Sequence, residues 1–202
     1  MQATTGERPL AGDKAARIVD AMRASVAERG TAGSTFDHVA RAAGVSRGLL
    51  HYYFGTKERL LVEVVRRDCD VRMALLDEQL AQARSADDFI AVLVASLEDV
   101  VRSDPGFVTL LFELFVLARR HEEIACEFAE LLRRPRDQVA ALLREKESDG
   151  VLNLAAEPEA VVDVLFSLAD GIWMRMLAEE RDFAPTIAAG VTCVRALLDD
   201  AM

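Results

Sequence analysis

Apolar residues return every three or four positions along almost the whole chain, and that periodicity restricts the fold to packed helices. Ala15, Ile18, Met22 and Val26 form the first stripe, which stops at Gly30. Later stripes are Phe89, Leu93, Leu97 and Val100; Val161, Leu165, Leu168, Ile172 and Met176; and Ile187, Val191, Val194 and Leu198. No segment alternates apolar and polar residues between Asn-Gly or Asp-Gly turns, as a hairpin would. The expected class is therefore all-α, with about nine helices. The first ends near Gly30, and two short ones follow from Thr35 to Ala43 and from Ser46 to about Tyr53. A long helix runs from Lys57 to about Arg84. The rest are expected at about Ala86–Arg102, from Pro105, at about His121–Ser148, and from near Pro158 and Pro185 to about Glu180 and Asp200. Pro135 should kink its helix or split it in two.

Composition narrows the function classes. Residues 1–66 carry ten Lys/Arg against seven Asp/Glu, and residues 67–202 carry fourteen against twenty-seven. The overall charge of −10 thus belongs to the C-terminal part, and the first third can approach a polyanion. No run reaches the roughly 18 apolar residues of a membrane span, so no membrane partner is expected. Residues 1–12 are polar and lack the apolar core of a signal peptide, which reads as a flexible tail and a cytoplasmic location. Cys69, Cys126 and Cys193 are far apart and odd in number, so they read as buried thiols rather than disulfides or zinc ligands. His38, His51 and His121 have no metal-ligand spacing, and no Gly-rich phosphate loop or serine elbow occurs. No enzymatic activity, cofactor or metal is expected.

One segment carries chemistry. From Thr35 to Phe54 the chain reads Thr-Phe-Asp-His-Val-Ala-Arg-Ala-Ala-Gly-Val-Ser-Arg-Gly-Leu-Leu-His-Tyr-Tyr-Phe, followed by Gly-Thr-Lys-Glu-Arg-Leu-Leu. Two short helices joined through Gly44-Val45-Ser46 make a helix-turn-helix, whose second helix presents its N-terminal end to a major groove. Ser46 is expected to cap that helix, and Arg47 to project toward the groove, where arginine bonds guanine bidentately. Gly48 costs a helix about 1 kcal/mol relative to Ala, so it needs a reason. Close approach to DNA and tight packing on the neighbouring helix both supply one. Leu49 suits a thymine methyl or the core. Lys57 and Thr56 stand at a helix start that favours an anion, and read as a phosphate clamp. Thr35 combines a helix cap with a phosphate contact.

Residues 13–62 resemble the TetR family of bacterial regulators, on the Thr35, Ala-Gly-Val-Ser, Gly48, Tyr53-Phe54 and Lys57-Glu58 pattern. His51 departs from it, since the family usually has Tyr there. The resemblance implies that Tyr53 and Phe54 lean toward the domain core with the Tyr53 hydroxyl on a phosphate, while His51 and Tyr52 project outward. It implies domains at 13–66, with the motif at 35–54, and at 67–202, the second binding a small-molecule effector and forming the homodimer. Segments 113–120 and 170–173 resemble the branch containing choline-responsive repressors. An effector pocket is expected among Phe89, Leu93, Phe107, Leu111, Phe115, Phe166, Asp170 and Trp173, with Glu113 as a further polar group. A four-helix dimer interface is expected on Val161, Leu165, Leu168, Ile172, Met176, Ile187, Val191, Val194 and Leu198. The function implied is a repressor released from double-stranded operator DNA by the effector. An activator, a corepressor-dependent regulator, or a helical binding protein without DNA affinity are the alternatives.

Overall fold

The computed structural model describes residues 13–200, and the segment read above as a tail lies outside them. The chain divides between Val65 and Arg66 into two compact units.

The first unit contains α1 (Asp13–Gly33), α2 (Phe36–Ala43), α3 (Arg47–Phe54) and the start of α4 (Lys57–Ala81). Its stripes close into one small core, with Ile18, Met22, Val39, Leu50 and Leu60 fully buried. Gly30 takes φ 68°, so regular helix stops there and a further turn reaches Gly33. The buried Ser34 hydroxyl donates to the Gly30 carbonyl at 2.8 Å and accepts from Ser25 at 2.8 Å. This pair satisfies the polar groups that the break in α1 leaves inside. Thr35 then caps α2, accepting from the His38 amide at 3.3 Å, and Gly44 ends α2 in the left-handed region at φ 65°.

The second unit holds the rest of α4 with α5 (Ala86–Ser103), α6 (Pro105–Ala118), α7 (Glu122–Ser148), α8 (Pro158–Ala178) and α9 (Ala184–Arg195). Ser85 caps α5 by accepting from Asp88 N at 3.1 Å, and Asp104 caps α6 by accepting from Phe107 N at 3.2 Å. Pro105, Pro158 and Pro185 occupy first-turn positions. Leu80, Phe89, Leu143, Val161 and Val162 are the centre of its core.

Several expectations need correction. Leu152–Leu154 and Leu198–Asp200 form β1 and β2, an antiparallel pair with Asn153 opposite Asp199. The last helix therefore ends at Arg195, and Leu198 is a buried strand residue. Three-residue strands are too short to show a period of two, so the pairing partner decides them. Pro135 does not split its helix, because α7 continues through it from Glu122 to Ser148. Cys126 and Cys193 are exposed, and only Cys69 is partly covered. Burial, with Asp70 and Asp68 nearby, pushes the Cys69 thiol up to about 12, so it is an inert thiol.

Candidate DNA-reading surface and ligand cavity

α3 buries Leu50 and Phe54 and turns its other side outward. Arg47, Gly48, His51 and Tyr52 are exposed, Leu49 is half-buried, and Tyr53 sits at 36% exposure beside the buried Phe54. Ser46 holds the cap position in extended backbone, yet its side chain makes no capping bond. The helix start is closed instead by its carbonyl, which accepts from Leu49 N at 3.0 Å. A Cβ added to Gly48 would meet nothing closer than Ser46 Oγ at 3.9 Å. Packing within the chain therefore gives no reason for glycine there.

Arg47 is held across the turn. Its Nη1 donates to both Asp37 oxygens at 3.1 and 3.2 Å, and its Nε donates to His51 Nε2 at 3.5 Å. His51 Nδ1 lies 3.0 Å from the Gly55 carbonyl, which fixes that nitrogen as the donor and Nε2 as the acceptor. The ring also stands edge-on to Phe36 at 4.9 Å. His51 is thus bound into the local framework, while Tyr52 is 64% exposed with its ring edge-on to Tyr53 at 5.3 Å. Lys57 Nζ donates to the Thr31 carbonyl, and Thr56 Oγ1 accepts from Arg59 N at 3.2 Å. Two N–H groups of Lys57 and the hydroxyl protons of Thr56 and Thr35 remain to be donated.

The second unit encloses a cavity of about 740 Å³ lined by α4 to α9. Leu93, Phe107, Leu111, Phe166, Asp170 and Trp173 line it, as expected from the sequence. Phe89 does not, being fully buried in the core, and Phe115 does not, being half exposed and packed at 6.0 Å from Phe128. Glu113 is also absent from the wall, with its Oε2 buried and unpartnered. Arg72 and Met73 of α4 and Val94 of α5 also line it, and the sequence did not point to them. Trp173 Nε1 donates to the Leu97 carbonyl at 3.0 Å, satisfying its polar edge. Burial raises the Asp170 carboxyl above its ordinary value. Exposed Leu132, Arg133 and Ser167 mark the side on which the cavity opens.

The stripe assigned to the dimer interface is mostly cavity wall. Leu165, Leu168, Ile172, Ile187, Val191 and Val194 all line the cavity, while Val161 and Leu198 are buried in the core. Met176 is half-buried. Periodicity locates an apolar face but does not distinguish an internal hollow from a partner. Among the described residues no three His, Cys, Asp or Glu group as metal ligands. No helix among them is long and apolar enough to cross a membrane.

Residues 18–64 match the family model described as bacterial regulatory proteins of the tetR family, and residues 84–200 match that of the tetracyclin repressor-like C-terminal domain. The chain belongs to the TetR family. It is a DNA-binding transcriptional regulator with an N-terminal helix-turn-helix and a helical C-terminal domain. The HTH-type transcriptional regulator BetI of Rhizobium meliloti is 29% identical over 161 residues, covering 78% of this TetR-family chain and 75% of that protein. Solved structures share the fold at lower identity. FadR from Bacillus subtilis, in complex with stearoyl-CoA, has a TM-score of 0.70 at 18% identity, covering 89% of this chain and 96% of that one. A Saccharomonospora viridis regulator in complex with choline has a TM-score of 0.69 at 17% identity, covering 91% and 97%.

Proposed function

We propose that this TetR-family regulator is a homodimeric repressor that a small molecule in the cavity releases from a palindromic operator. The observation that carries the reading is Gly48, a glycine on the exposed side of α3 whose Cβ position would meet only Ser46 Oγ, at 3.9 Å. A helix accepts that cost of about 1 kcal/mol where a duplex must approach its backbone. Arg47 reads a base, exchanging its Asp37 pair for guanine; exposed pairs are worth only about 0–1 kcal/mol, so the exchange is cheap. His51 positions Arg47. Lys57, Thr56, Thr35, Tyr52 and Tyr53 supply backbone contacts, and Ser46 and Leu49 flank them.

The dimer uses the outward faces of α8 and α9 rather than the stripe that lines the cavity. Val164, Met174 and Leu177 on α8 are exposed, and Ala188, Thr192 and Cys193 on α9 are exposed beside them. A Cβ added to Gly190 would stand in ordinary contact with Ile172 Cδ1, at 3.7 Å, so α9 packs on α8 there. Two such pairs form a four-helix contact under a twofold axis. A palindromic operator offers the two α3 helices successive major grooves about 34–36 Å apart. α4 begins at Lys57 and supplies Arg72 and Met73 to the cavity wall, so a ligand there acts on the helix that carries the phosphate clamp. The complexes with stearoyl-CoA and with choline support a small molecule as the effector class.

A gel shift on DNA upstream of the protein's own gene tests the reading. The free protein should retard that DNA as a dimer and release it with effector. No retardation of any upstream fragment would remove the operator role, and retardation only with effector would reverse the sign.

A further inference from the structure

The cavity has a polar end and a long apolar body. α8 follows the wall from Asp163 to Trp173, ten residues or about 15 Å at 1.5 Å per residue. At its outer end the half-buried Arg136 and the exposed Asp163 form a bidentate pair at 2.6 and 3.0 Å. Asp137 Oδ1 also lies 3.6 Å from Arg136 Nη1, so the guanidinium is already paired on two sides. Ile90, Leu93, Val94, Val191 and Val194 continue the wall without a hydrogen-bonding side chain. At the inner end the Trp173–Leu97 bond ties α8 to α5, and α5 then leads to Asp104.

Arg72 of α4 stands at that inner end. Its Nη2 donates to Asp104 Oδ2 at 2.9 Å, and its guanidinium lies 4.6 Å from the centre of the Phe107 ring. Its Nε is buried and has no partner. A buried donor of a charged group left unbonded is costly, and an acceptor brought in by a ligand removes the cost. The charge inventory restricts which acceptor. Asp104 already balances Arg72, and Asp170 adds a second carboxyl to the same wall. A carboxylate ligand would bring a second acid to a guanidinium that Asp104 already neutralises, in surroundings where like charges repel strongly. A permanent cation would leave the Nε donor unanswered.

We infer that the cavity takes an elongated, uncharged amphipath whose carbonyl oxygen accepts from Arg72 Nε, with its apolar body along α5, α8 and α9. The inference rests on the effector-cavity reading above and adds its head-group chemistry. An amide, ester or ketone meets the requirement, and an amide also offers a donor to Asp170.

Trp173 is the one tryptophan, so its fluorescence reports on the cavity wall. Decanamide, decanoate and decyltrimethylammonium present one apolar chain with a neutral, an anionic and a cationic head. Titrated into the dimer, decanamide should bind at least about tenfold tighter than either ion, the worth of one hydrogen bond to a charged donor. Arg72→Lys keeps a charge for Asp104 and removes the Nε donor, so it should weaken decanamide about tenfold with the helical circular dichroism retained. The ranking of the three probes on the unaltered protein tests the head group even if the variant folds poorly. Tighter binding of decanoate or decyltrimethylammonium overturns the neutral carbonyl and leaves the cavity standing. Unchanged decanamide affinity in a folded Arg72→Lys protein overturns the role of Arg72. No response of Trp173 to any probe overturns the cavity reading together with the head group.

Discussion

Gly48 separates stability from recognition at a single residue. Its Cβ position is open, so Gly48→Ala should raise unfolding stability by up to about 1 kcal/mol through helix propensity. The same methyl should weaken operator binding, and a chemical melt beside a gel shift checks both. A stability loss would return Gly48 to a packing role. Lys57 and Arg47 divide differently. Lys57→Ala should lower the salt slope of binding by roughly one unit on every sequence, because one phosphate contact goes. It should also cost about 0.5–1.5 kcal/mol of stability, since the bond to the Thr31 carbonyl goes too. Arg47→Ala should instead cost about 1–3 kcal/mol on the cognate site and relax preference at one position per half-site. Asp170 gives a pH test. Its folded-state carboxyl is raised by burial, so the folded chain holds that proton more tightly than the unfolded one. Its contribution is then present in acid and lost as pH rises through the raised value. Asp170→Asn should stabilise the protein at neutral pH and leave it unchanged near pH 3, as denaturant melts at the two pH values would show. A variant less stable at neutral pH would mean that the ionised carboxyl is held by a partner.

Among the elements, α8 and α9 depart most from their sequence reading. Their strongest stripe lines the cavity, and Val164, Met174, Ala188 and Thr192, all exposed, carry the proposed dimer contact. Val164→Asp should give a folded monomer that no longer binds operator, because a charge enters a proposed contact and not the core. Light scattering decides it: a variant that stays dimeric places the interface on another surface. Replacing Val191 or Val194 instead should alter ligand response first, since both face the cavity. The helices themselves were legible because caps and stops are local chemistry. Thr35, Ser85 and Asp104 accept the amides that caps accept, and Gly30 and Gly44 take the left-handed angles that stops need. Pro135 and the β1–β2 pair were not legible. A proline costs a helix one amide bond that surrounding packing can override, and three-residue strands exist only where the partner segment lies alongside.

For the whole molecule the consequence is reciprocal linkage. If a cavity ligand weakens operator affinity by the usual 5–150-fold, saturating operator must weaken the ligand by the same factor. Titrating Trp173 fluorescence with and without operator duplex measures this, and unequal factors would mean that ligand and DNA do not share one two-state equilibrium. The sequence by itself determined the helical class, the helix-turn-helix and the division of charge between the two parts. Each of these rests on local spacing: periodicity, cap and stop residues, and the order of side chains along one turn. It also brought six of the eight expected pocket residues to the wall, because large apolar side chains on an inner face must meet either core or cavity. Tertiary structure alone decided which. Phe89 fills the core and Phe115 faces out, although both lie on the same kind of stripe as Leu93 and Phe107. Arg72 reads as an ordinary helix-surface arginine until the fold seats it between Asp104 and Phe107 with one donor unanswered. Burial and pairing depend on residues distant in the chain, and no local pattern records them.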